Sequence, residues 1–126
     1  MARLLSVPQA EWRAFFDRTS KALLGKWAEI EVASLDLGDQ IAVEWVPMIG
    51  ITYDSKDDLL DVALDRMNHL IRGPRETLVE EGPTGLASVA VVDAEGTRQV
   101  VRLRQPLALP PAGDQQPDVQ RQPQER

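Results

Sequence analysis

Cysteine is absent from this chain, and histidine occurs once, as His69. Without cysteine there is no disulfide, no thiolate nucleophile and no Cys-type zinc site. A single histidine removes most other zinc sites, which need three or four N, S or O ligands. The sequence is therefore read as binding no metal and requiring no cofactor. No apolar run approaches the roughly 20 residues of a membrane helix. The opening MARLLSVPQAEW has too short an apolar patch for a secretory leader. A soluble, cytoplasmic protein without membrane contact is expected, and the missing cysteine fits a reducing cytosol. Positive charge is also scarce. Fourteen Lys and Arg stand against 20 Asp and Glu, a formal charge of -6. That balance lacks the electrostatic footprint that draws proteins to phosphate backbones, so nucleic acid is not an expected partner.

Catalytic signatures are missing in the same way. No G-x-S-x-G elbow occurs, and no Gly-rich loop follows a strand and opens a helix. Glu80 and Glu81 are paired carboxylates, but neighbours on a strand point to opposite faces and would not share a site. The chain reads as a non-enzyme.

What is present fits one domain. The chain has 126 residues, of which 43 % are hydrophobic, enough for a modest core. Composition changes after Arg104. The segment QPLALPPAGDQQPDVQRQPQER holds five of the nine prolines and most of the glutamines. Such a segment buries too little apolar surface to offset its ordering entropy. The expected organisation is a globular domain over 1–104 and a disordered Pro/Gln-rich tail over 105–126. The Pro110-Pro111 pair is a candidate motif for a polyproline-binding partner.

One helix is expected near the start. Ser6 and Gln9 fit a capping box, and Pro8 suits a first helical turn. Trp12, Phe15, Phe16, Thr19 and Leu23 form an apolar stripe, and Gly25 is a natural stop. From Lys26 the period becomes two. KWAEIEVAS, DQIAVEWV, MIGITY, LLDVALD and RETLVEE read as strands, with Pro47 marking a bend, bulge or edge. RMNHLIRGPR interrupts the alternation and reads as one helical turn closed by Gly73-Pro74. LASVAVV-DAEG-TRQVVRL is a hairpin, its Asp93-Ala94-Glu95-Gly96 suiting a type I turn followed by a glycine at positive φ. The predicted fold class is α+β: an N-terminal helix packed on a bent, mainly antiparallel sheet of about seven short strands, which can curl into a small barrel. Nothing between the strands is long enough for a crossover helix.

The acidic stretch GITYDSKDDLL invites a calcium reading. EF-hand ligands need D-x-[DN]-x-[DN]-G with a glutamate at the twelfth position. Counted from Asp54, Lys56 falls on a ligand position, Leu59 replaces the glycine, and Asp65 replaces the glutamate. The stretch therefore reads as a hairpin loop between Tyr53 and Leu59, because Asp and Ser bond nearby backbone amides. The remaining site candidate is N-H-L-I-R-G-P-R. On one helical turn His69 and Arg72 would face the same side, and Gly73-Pro74 could return Arg75 towards them. Together the three would hold a small anion.

The segments GDQIAVEWVPMIGITYDSKDDLLDVALD and NHLIRGPRETLVEEGPTGLASVAVVDAEGTRQVVRLR, with the leading EWRAFFDRTSKALLG, resemble DUF5335, a small bacterial family of unknown function. The resemblance runs from about Pro8 to Arg104. Its most specific pieces are G-I-T-Y-D, Gly50 to Asp54, and H-L-I-x-x-P, His69 to Pro74. It implies a bacterial cytoplasmic protein and carries no activity, cofactor or site residue. The functional expectation is a non-enzymatic interaction or assembly module, with a protein partner or a second copy of itself, built on apolar candidates from Trp45 to Ile51. The alternatives are a small-anion or small-molecule binder using His69, Arg72 and Arg75, and an RNA-associated Sm-like barrel.

Overall fold

After Lys26 apolar and polar side chains alternate, and a chain with that period buries one face of a sheet. The computed structural model describes residues 3–34, 36 and 38–107. It contains β1 (Arg3–Ser6), a 3-10 turn (Gln9–Glu11), α1 (Trp12–Leu23), β2 (Trp27–Ser34) and β3 (Gly38–Asp54). There follow β4 (Leu59–Leu64), β5 (Met67–Arg72), β6 (Pro74–Gly82), β7 (Gly85–Asp93) and β8 (Arg98–Leu107). The sheet order is β1-β6-β7-β8-β2-β3-β4-β5, and every neighbouring pair is antiparallel. This is the expected α+β class with eight strands instead of about seven. The sheet is open, with β1 and β5 as its edges. It does not close into a barrel. β5 runs into β6 across Gly73 alone, too short for a hairpin loop, and the two strands do not pair.

Pro47 is where the sheet folds. The first half of β3 pairs with β2, up to Pro47 opposite Trp27, and the second half pairs with β4 from Met48 onward. Proline cannot donate to a ladder, so a change of partner falls there naturally. The register also slips between Met48 and Gly50. The bend lets α1 and the two halves of the sheet enclose one core. α1 buries Trp12, Phe16, Thr19 and Leu23. Ile30, Met48, Ile51, Leu60, Val62, Ile71 and Val91 meet them from the strands. Gly50 explains how closely the helix sits. A side-chain carbon at this position would collide with Ser20 Oγ, which instead accepts a hydrogen bond from the Ile51 amide at 2.9 Å. Gly25, at φ +84°, ends the helix as expected, and its amide bonds the Met48 carbonyl at 2.8 Å.

Three local expectations are corrected. Ser6 does not cap the helix. It lies in β1 opposite Leu78, and α1 has Glu11 as its N-cap with no side-chain cap bond, because the sheet ladder has taken Ser6. RMNHLIRGPR is not a helical turn. Met67–Arg72 pairs with β4 across Asp65-Arg66, where Arg66 adopts φ +72°. Ladder pairing with β4 overrides the local signal. Finally, β8 continues past Arg104 to Leu107, which is buried opposite Leu86. Residues 108–126 of the expected tail lie outside the described residues.

Candidate functional site

The three residues of the expected anion site are not brought together. On a strand, residues three apart point to opposite faces. His69 turns inward with the buried Ile71, while Arg72 is exposed with Leu70. Arg75 pairs with Asp58 at 3.7 Å. His69 instead joins a chain of side chains. Gln99 Nε2 donates to Asp93 Oδ2 at 3.1 Å, which leaves Gln99 Oε1 facing His69 Nε2 at 2.6 Å. A carboxylate only accepts, so the amide is oriented, and His69 must donate from Nε2. The chain clasps edge strand β5 to the β7–β8 hairpin.

The Asp54–Asp58 stretch is the expected hairpin loop. Asp54 Oδ1 accepts from the amides of Lys56 and Asp57 at 3.0 and 3.2 Å. Asp58 accepts from the Tyr53 hydroxyl at 2.9 Å. Burial, followed by that bond to Asp58, raises the pKa of Tyr53 above its ordinary value. The Asp93 turn also has the expected form. Asp93 Oδ1 accepts from the Glu95 and Thr97 amides, and Gly96 sits at φ +83°.

The other face of the sheet carries what the sequence reading missed. Registers across β6, β7, β8 and β2 align Leu78 with Ala90, Ala90 with Val100, and Val100 with Glu31. Small side chains in the middle of this row leave a trough of about 310 Å³. Its rim is charged. Arg102 reaches Glu31 at 2.8 Å and Glu29 at 3.4 Å. The Arg102 hydrogen bond, and then one from Asp39, lowers the pKa of Glu31. Asp39 moves the other way, raised chiefly by that same bond to Glu31. Of the two carboxyls, Asp39 is the one that holds its proton more tightly. Across the trough, Ser88 donates to Glu80 at 3.0 Å.

On the same outward row of β2 and β8, beyond Glu29 and Arg102, lie Trp27 and Arg104. The Arg104 guanidinium sits 5.3 Å from the Trp27 ring centre and 5.1 Å from that of Trp45. Trp27 is 46 % exposed. Trp45 reaches this stack through a backbone φ of +27°. A bulky residue at positive φ is an outlier costing roughly 1–3 kcal/mol. An exposed cation–π contact returns only about 0.5–1 kcal/mol. The stack alone does not offset the strain. Among the described residues, neither the Trp27 nor the Trp45 indole N–H has a hydrogen-bond partner. By alternation alone Arg102 and Arg104 share one face of the last strand, and Glu29 and Glu31 share one face of the strand after the helix. The β2–β8 register that sets them side by side was not.

Among the described residues no helix is long and apolar enough to cross a membrane. A family model described as "Family of unknown function (DUF5335)" matches residues 4–112. An uncharacterized protein of Aquifex aeolicus (strain VF5) is 37 % identical over 106 residues, covering 83 % of this chain and 96 % of that protein. No solved structure matches.

Proposed function

The chain belongs to this family of unknown function, and from that premise we propose a non-enzymatic assembly module that self-associates through the Trp27–Arg104–Trp45 platform. The observation that carries the reading is Trp45, a tryptophan held at positive φ so that it stacks at the surface beside a half-exposed Trp27. Strained side chains cluster where they serve a ligand or a partner. Tryptophan and arginine are also the residues most enriched among those that dominate binding energy at protein interfaces. The surrounding charges suit a partner with both signs, because Glu29 and Glu31 flank Arg102 on the same face. A second copy of the chain meets this requirement.

The test is size-exclusion chromatography with light scattering, on the full chain and on Trp27→Ala. The wild type should elute above monomer mass and the variant at monomer mass, with the same circular dichroism spectrum. An unchanged mass distribution in Trp27→Ala removes the platform from the interface.

A further inference from the structure

We propose that the platform's occupant is the proline-rich segment Leu109 to Val119 of a second copy, docked as an extended polyproline helix. This rests on the assembly reading above and names the partner for it. Polyproline helices are recognised by aromatic-lined surfaces, because their rigid ring faces pack on aromatic faces at low entropic cost. Their backbone carbonyls have no internal hydrogen bonds and need donors. The platform offers two tryptophan rings about one guanidinium, and both indole N–H groups lack partners among the described residues. Trp12 makes the contrast, since its own N–H is already committed to the Val7 carbonyl at 2.7 Å.

The segment has matching chemistry. In LPPAGDQQPDV, Pro110 and Pro111 supply ring faces, and Asp114 follows Pro111 by three residues. A polyproline helix turns once in about three residues, so Pro111 and Asp114 share one edge roughly 9 Å apart. Such an edge presents an apolar ring and an anion to a surface made of tryptophan and arginine.

The choice of a second copy follows from the assembly reading, in which the platform is covered by another chain. Reciprocal docking between two copies gives a closed dimer with two such contacts.

Complementation between two full-length variants tests this. Trp27→Ala keeps the proline segment and loses the platform. Pro110→Ser with Pro111→Ser keeps the platform and loses the segment. Each alone should be monomeric by light scattering at a concentration where the wild type is a dimer. Their equimolar mixture should regain a species of doubled mass, held by one contact and dissociating at higher concentration than the wild type. If the proline variant still dimerises while Trp27→Ala does not, the segment is not the occupant and the platform reading survives. If both variants remain dimeric, or the wild type is a monomer, both readings fall. A mixture that stays monomeric overturns the segment's role, since a Trp27→Ala chain needs no intact platform to donate its segment. Trp45→Ala in place of Trp27→Ala should give the same pattern.

Discussion

Trp12 and Trp27 lie on opposite faces of the same protein, and almost everything about them differs. Trp12 is 1 % exposed, donates to the Val7 carbonyl, and meets Tyr53 edge-on at 5.2 Å. Trp27 is 46 % exposed and packs on an arginine that it shares with a strained Trp45. One face has a helix and the folded-over strands β4 and β5 to cover it. The other is left open across β6, β7, β8 and β2, with a charged trough and an aromatic stack. The covered face explains why the chain folds. The open face holds features that folding does not explain, and that division is the argument for function.

The sharpest way to break the comparison is to truncate both tryptophans. Trp12→Ala should cost about 3–5 kcal/mol in denaturant unfolding, as large core truncations do. In dilute protein, where wild type and variant are both monomers, Trp27→Ala should stay within about 0.5 kcal/mol, the usual range for a surface change. Equal losses would mean that both faces are structural.

Next in size is Gly50. Gly50→Ala should lose about 1–3 kcal/mol, because its new carbon meets Ser20 on a helix that is tied to β3. Combining it with Ser20→Gly should cost less than the two single losses added, since the pair shares one contact. Strict additivity would show that the helix can shift freely on the sheet.

Much of the covered face was legible beforehand. The stripe Trp12, Phe16, Thr19, Leu23 and the alternation of Ile30, Val62 and Val101 place core residues by period alone. The Asp93–Gly96 turn was legible because its chemistry is local. β5 was not, since its turn puts Arg66 at positive φ without the glycine or asparagine that normally marks one. β1 was hidden by length, four residues with no alternating burial. The expected anion site failed for the same reason as β5. A strand separates His69 from Arg72, whereas a helical turn would have joined them. The open face depends on registers between β2, β8 and β7, strands far apart in sequence, and pattern reading along one chain cannot supply them.

Two smaller tests sharpen the account of the open face. In dilute protein, Trp45→Asn should leave stability unchanged or raise it by up to about 1 kcal/mol, because asparagine tolerates positive φ. The same variant should lose self-association. A clear loss of stability would mean that Trp45 is held for packing. The smallest effect concerns Asp39. Its pKa is raised by Glu31, so the folded state favours its neutral form, and ionising it at neutral pH weakens the fold. Glu31 is lowered, so its contribution is present at neutral pH and lost as acid protonates it. Asp39→Asn should therefore melt slightly higher than wild type at pH 7. That advantage should vanish as pH falls below the ordinary carboxylate range, where Asp39 is protonated in both states. A pH-independent difference would show that Glu31 does not raise the Asp39 pKa in the folded chain.

The central claim, that the open face is covered by a second copy while the closed face needs none, is tested most directly by acrylamide quenching of tryptophan fluorescence across protein concentration. Of the three tryptophans, Trp12 is inaccessible at any dilution. The account predicts that quenching of Trp27 and Trp45 is strong in dilute solution and falls as concentration rises, with a midpoint matching the light-scattering transition. Quenching that stays the same from dilute to concentrated protein would contradict it.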